Sequence, residues 1–133
     1  MILVDTSVLI NYFKGINNYK TEKLEEILKN GIIFGINNFI YQEILQGAST
    51  EKEFKLLNQY LSSQKFYELN YGTKSYENAA KIYYSCRKKG VTPRSTIDLL
   101  IVETAIENNL FLLHDDNDFT EIAFIVGKLK EYK

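Results

Sequence analysis

Ile97-Asp98-Leu99-Leu100-Ile101-Val102-Glu103-Thr104-Ala105-Ile106, followed shortly by Leu110-Phe111-Leu112-Leu113-His114-Asp115-Asp116, reads as a buried helix feeding into a buried strand. The first run is apolar almost all round, as in a central helix. Ser95 or Thr96 can cap it, and it runs to Asn108 or Asn109. The second run is short, unbroken and apolar, and it stops at acids. Strands of that kind, without polar alternation, belong to parallel sheets covered on both faces.

The same alternation extends outward along the chain. Ile2-Leu3-Val4 ends abruptly at Asp5, Ile32-Ile33-Phe34-Gly35-Ile36 lies between Gly31 and Asn37-Asn38, and Phe66-Tyr67-Glu68-Leu69 is a weaker run. Between them fall helical patterns. Leu24, Ile27 and Leu28 precede a stop at Gly31. Asn38 can cap a helix carrying Ile40/Ile44 and Tyr41/Leu45 and ending at Gly47. Thr50-Glu51-Lys52-Glu53 matches a capping box before Leu56, Leu57, Tyr60 and Leu61. Tyr76, Ala79, Ala80, Tyr83 and Cys86 form one stripe, stopped by Gly90. Strand and helix in alternation imply a three-layer α/β/α sandwich with a mostly parallel sheet and right-handed crossovers.

Composition narrows the class. The chain has 133 residues, 45% of them hydrophobic, with 16 Lys+Arg against 17 Asp+Glu. It is long enough for one cored domain over residues 1–133 and too apolar for disorder. One cysteine, Cys86, excludes a disulfide framework and a cysteine-rich zinc site, and it suits a reducing compartment. No repeat, low-complexity tract or Pro/Gly/Ser linker divides the chain. The longest nearly uncharged run, Gly31 to Gln42, is too short to span a membrane. The start, Met-Ile-Leu-Val-Asp, lacks the basic and apolar regions of a signal peptide. The expectation is a small cytoplasmic domain with no membrane partner. A net charge of −1 argues against tight non-specific nucleic-acid binding but leaves local basic patches open.

The acids carry the chemistry. Ligands of a parallel α/β sheet bind beyond the carboxyl ends of its strands. Asp5 sits at that end of the first strand, and Asp115, Asp116 and Asp118 sit just past the fourth. Asp98 is a carboxylate in the first turn of an otherwise apolar helix, and Glu43 lies between Ile40/Tyr41 and Ile44/Leu45. The positive helix start offers Asp98 about 0.3–1 kcal/mol, small beside the cost of burying an unpaired charge. Converging carboxylates raise one another's pKa values. Either some protonate or a hard divalent cation neutralises them, and Mg²⁺ or Mn²⁺ prefers oxygen ligands.

Read singly, each of these residues also has a plain structural role: Asp5 and Asp98 as helix-start carboxylates, Glu43 on an exposed helix face. His114 fits a strand-end residue bonded to backbone or lying behind the acids, and Cys86 a core position. Arg87-Lys88-Lys89 and Arg94 precede the third acid. They can steer phosphates, and Arg87 to Lys89 equally complement a helix C-terminus.

Taken together, Leu3-Val4-Asp5-Thr6-Ser7-Val8-Leu9-Ile10, Glu43, Ser95-Thr96-Ile97-Asp98-Leu99-Leu100-Ile101 and Leu112-Leu113-His114-Asp115-Asp116-Asn117-Asp118-Phe119 resemble the PIN domain. Within it they look most like the VapC-type toxins of toxin–antitoxin pairs. The resemblance covers the whole chain, with the motifs in order. It implies a five-stranded parallel sheet and a Mg²⁺- or Mn²⁺-dependent endoribonuclease whose metal and catalytic acids carry over onto Asp5, Glu43, Asp98 and Asp116. Asp118 matches an additional acid, Thr6 a hydroxyl beside the metal, and Ser95 and Thr96 the approach to the third acid. Asp116 stands two residues before Asp118-Phe119, as in the family pattern, and Asp115 is its rival. Arg87, Lys89 and Arg94 are the candidate RNA contacts. The resemblance further implies a homodimer, a small antitoxin that occludes the acids, and operator DNA bound through that antitoxin. Two other readings stand beside it, a PIN nuclease of RNA processing and a catalytically silent binding module. A phosphatase of the haloacid-dehalogenase type would need an acid where Ser7 stands. A response-regulator receiver would need a second acid at the first strand and an Asp after the third, where Leu69-Asn70-Tyr71-Gly72 follows.

Overall fold

The computed structural model describes Met1–Lys133. In chain order the elements are β1 (Ile2–Val4), α1 (Thr6–Phe13), α2 (Tyr19–Lys29), β2 (Phe34–Ile36), α3 (Asn38–Gln46), α4 (Glu51–Ser62), β3 (Lys65–Phe66), α5 (Thr73–Lys88), α6 (Thr96–Glu107), β4 (Phe111–Leu113), α7 (Asn117–Ile125) and β5 (Lys130–Glu131). The five strands form one sheet of order β3-β2-β1-β4-β5. Every pairing is parallel. The expected α/β architecture is therefore present, with a wholly parallel five-stranded sheet.

β1 shows why the sheet is sandwiched. Successive side chains of a strand face opposite sides, yet Ile2, Leu3 and Val4 are all buried. Both faces are covered, which is why these strands read as unbroken apolar runs. α6 is enclosed in the same way, with Leu99 through Ala105 all buried. Burying one such Leu or Ile side chain contributes roughly 1.5–3 kcal/mol.

Local chemistry sets the boundaries. The cap of α3 is Asn37, not Asn38: its Oδ1 accepts the Ile40 N–H at 2.9 Å. Asn37 is also the buried one of the two, and its amide donates to Thr104 Oγ1 at 3.1 Å. A buried amide needs both partners, and only Asn37 finds them. Thr50 caps α4 as expected, accepting the Glu53 N–H at 3.1 Å. The buried stripe of α5 is Ser75, Ala79, Ile82 and Cys86, while Tyr76 is 52% exposed. The expected stripe is thus rotated: Ala79 and Cys86 stay in it, Ser75 and Ile82 join it, and the aromatic bulk of Tyr76 and Tyr84 is left outside. Ile32 and Ile33 precede β2 and are exposed. β3 begins at Lys65, one residue before the expected run.

The chain winds outward from β1 to β2 and β3, then returns to place β4 on the other side of β1. That reversal opens a crevice between the carboxyl ends of β1 and β4.

Candidate metal centre

Two strand ends and three helices bring acids to this crevice. Asp5 follows β1, Asp116 follows β4, Asp98 lies in the first turn of α6, Asp118 in the first turn of α7, and Glu43 on α3. One carboxylate oxygen from each of Asp98, Asp116 and Asp118 lies within 4.8 Å of the others. Asp5 and Glu43 are close enough to act electrostatically on Asp98.

Asp5 is nearly enclosed, and its Oδ2 accepts the Ser7 N–H at 3.0 Å and the Ser7 hydroxyl at 2.7 Å. Burial raises its pKa, and the bonds from Ser7 oppose the rise. Asp5 is therefore both the N-cap of α1 and a member of the acidic group. Ser7 Oγ also accepts the Asp115 N–H at 2.9 Å, fastening the β4 exit to the start of α1. Asp115 itself is exposed, and Asp116 is the residue that joins the cluster. Asp116 Oδ1 accepts the Asp118 N–H at 2.9 Å, so it caps α7 as Asp5 caps α1.

Glu43 is held by Thr6, whose hydroxyl donates to Oε1 at 2.8 Å. Its carboxyl is pushed up by burial and, more weakly, by the Asp5 charge, with Thr6 pulling the other way. Asp98 is pushed up to about 7 by burial and then by the charges of Asp5, Asp116, Glu43 and Asp118. A proton held on Asp98 near neutrality is what an acidic cluster does when its charge lacks an equal counter-charge.

Ser95 occupies the cap position of α6 without a side-chain capping bond, and Thr96 is exposed. Of the three basic candidates, Arg94 reaches the acids: its Nε donates to Asp118 Oδ2 at 3.0 Å, and a terminal nitrogen lies 3.6 Å from Asp116 Oδ1. Arg87 lies over the Tyr83 ring, 5.8 Å from its centroid, and Lys89 is exposed beyond the end of α5.

His114 is buried at the end of β4. Its Nδ1 accepts the Asp116 N–H at 3.2 Å, so in the neutral ring the proton sits on Nε2, which faces Glu131 Oε2 at 2.8 Å. Burial pushes the Glu131 carboxyl up, but the bonds from His114 and Thr120 outweigh it and hold it low.

This donor set fits a hard divalent cation. All donors are carboxylate oxygens, three of them mutually within reach of one ion, and Asp98 is raised first by burial and then by the charges of the other four acids. With the geometry fixed, comparison with known proteins gives the lineage: a PIN domain family model matches residues 2–125.

The chain belongs to the PIN domain family.

Two relatives span nearly the whole of this PIN domain. VapC ribonuclease Mb1587 of Mycobacterium bovis and Ribonuclease VapC11 of Mycobacterium tuberculosis are each 29% identical over 128 residues, covering 96% of this chain and 95% of theirs. Solved structures share the fold. VapBC2 of Rickettsia felis, bound to a DNA fragment from its promoter, aligns with TM-score 0.74 at 20% identity, over 99% of this chain and 98% of that one. VapBC-1 of nontypeable Haemophilus influenzae aligns with TM-score 0.74 at 19% identity, over 100% and 98%.

Three features of this PIN domain escape sequence reading. Ser7 links Asp5 to the β4 exit, signalled only by a hydroxyl two residues after an acid. Glu131 meets His114 because β5 lies beside β4, a neighbour relation that β5's two residues do not announce. Asp118, expected as an accessory, sits with Asp98 and Asp116 in the tightest group. No helix is long and apolar enough to cross a membrane.

Proposed function

We propose that this PIN domain is a Mg²⁺- or Mn²⁺-dependent endoribonuclease that acts as the toxin of a toxin–antitoxin pair. The observation that carries the reading is the meeting of Asp5, Glu43, Asp98, Asp116 and Asp118 at the β1–β4 crevice. Ribonuclease relatives over the whole chain support the substrate class. Structural neighbours solved as VapBC complexes support an antitoxin partner. Homodimerisation and operator binding through the antitoxin belong to the same proposal, as does a cytoplasmic site of action.

When bound, Mg²⁺ or Mn²⁺ supplies Lewis acidity that polarises a phosphoryl oxygen and makes water a nucleophile at neutral pH. Asp98, Asp116 and Asp118 would hold it, with Asp5 adding negative charge from the enclosed side. Glu43 orients the attacking water: Thr6 engages Oε1, leaving Oε2 to accept a proton from it. The phosphodiester is cleaved in line, leaving a 5′-phosphate and a 3′-hydroxyl. Ser7 and His114 act indirectly, through the Asp5 carboxylate and the Asp116 backbone.

The test is incubation of purified protein with total RNA, with and without chelator, followed by mapping of the ends. Metal-dependent cleavage with 5′-phosphate ends supports the reading, and no cleavage at any divalent concentration overturns it. Growth arrest on expression, relieved by a small protein encoded beside the gene, supports the toxin role. Expression without arrest, and without such a neighbour, overturns that part.

A further inference from the structure

Arg94 lies just before α6, one residue after the buried Pro93, and reaches back over the acids. Asp118 Oδ2 accepts both its Nε–H at 3.0 Å and its backbone N–H at 3.4 Å. Its terminal nitrogen approaches Asp116 Oδ1 at 3.6 Å. The Arg94 side chain is 77% exposed, against 14% for Asp118 and 31% for Asp116. It enters the cluster from solvent and is not packed into the core.

We propose that Arg94 is a displaceable counter-ion: it neutralises Asp116 and Asp118 before a divalent ion arrives, and is then released to hold the substrate phosphate. This rests on the metal-dependent nuclease reading above. The oxygens it occupies belong to two of the three acids that would hold the metal. Arginine and a divalent cation therefore compete for the same two carboxylates. An exposed ion pair contributes little net stability, so its loss is a small barrier to metal binding. A divalent ion at the acids cancels part of their negative charge and so weakens the local pull on the guanidinium. Its planar fork of donors then matches a phosphodiester's paired oxygens. Arg87 lies over the Tyr83 ring on α5, whereas Arg94 is the basic candidate in contact with the acids. Arg94 is thus a positioning residue, switching between acids and phosphate.

The test titrates Mn²⁺ alone into the full chain by calorimetry, comparing wild type, Arg94→Gln, Arg94→Lys and Asp98→Asn. Arg94→Gln is expected to bind Mn²⁺ about threefold to tenfold more tightly, with Arg94→Lys between it and wild type. In cleavage assays Arg94→Gln is expected to raise KM for RNA more than it lowers kcat. A residue serving only to hold the loop would weaken Mn²⁺ binding when removed. Unchanged or weaker Mn²⁺ affinity in Arg94→Gln, while Asp98→Asn still abolishes binding, overturns the counter-ion role alone. Mn²⁺ affinity that Asp98→Asn does not reduce overturns the metal-site reading, and the counter-ion role with it.

Discussion

The Thr6 hydroxyl donates to Glu43 Oε1 at 2.8 Å across 37 residues of chain, joining the first turn of α1 to α3. The bond fixes which oxygen of Glu43 is spoken for and opposes the upward push of burial on its pKa. Thr6→Val keeps the shape and removes the donor. It is expected to lower kcat by about tenfold to a hundredfold and to move the acidic limb of the pH–rate profile to higher pH, as the Glu43 carboxyl rises further. Single-turnover cleavage across pH 5 to 9 would measure both.

His114 and Asp98 separate by the size of their effects. His114 holds the Asp116 backbone and Glu131 and has no free nitrogen to act as a base. His114→Ala is expected to retain metal-dependent cleavage within about tenfold, while Asp98→Asn loses at least about a hundredfold. Cleavage rates of the two variants at saturating Mn²⁺ decide this, and equal losses would make His114 a participant in the chemistry.

Gly35 tests the packing of the sheet. A Cβ there would stand 2.5 Å from the Lys65 carbonyl oxygen and 2.8 Å from Tyr67 Cε2. Backbone on the neighbouring strand cannot yield as a flexible side chain can. Gly35→Ala is expected to cost about 1–3 kcal/mol, read as a lowered midpoint in urea or thermal unfolding.

Away from the acids, Glu103 is buried on α6 with Asn78 of α5, Glu107 of its own helix and Lys128 facing it. Burial, then the hydrogen bond and charge of Glu107, push its carboxyl to about 7. Glu107 is itself held low, because the bonds from Glu103, the Asn70 backbone and Ser75 outweigh its burial. The folded state keeps a proton on Glu103 that the unfolded chain releases near its ordinary value of 4.5. Stability from this group is therefore full below that value and falls as pH rises toward 7. Glu103→Gln should be close to neutral at pH 4.5 and stabilising by about 1–2 kcal/mol at pH 8. Urea melts at the two pH values check the sign.

β1 is legible because all three of its residues are buried, and β4 because Leu112 and Leu113 are, its first residue Phe111 being apolar though exposed; β3 and β5 have two residues each, so β3 shows only as a weak run and β5 not at all. α7 is not legible in the sequence, because its acidic start and mixed faces give no clear helical stripe, and its cap Asp116 stands out only as an acid. The acids could be named one by one because each interrupts an apolar run. What sequence could not carry was their mutual arrangement: that Asp118 joins Asp98 and Asp116, that Asp115 turns outward, and that Arg94 closes over them. Those relations depend on β1 and β4 being neighbours.

The most direct measurement is an anomalous difference map from a crystal of the full chain soaked in Mn²⁺. The expected result is a peak about 2.0–2.5 Å from oxygens of Asp98, Asp116 and Asp118, with Arg94 withdrawn from them. The three carboxylates at full occupancy with no peak between them, and Arg94 still paired to Asp118 at millimolar Mn²⁺, would contradict it.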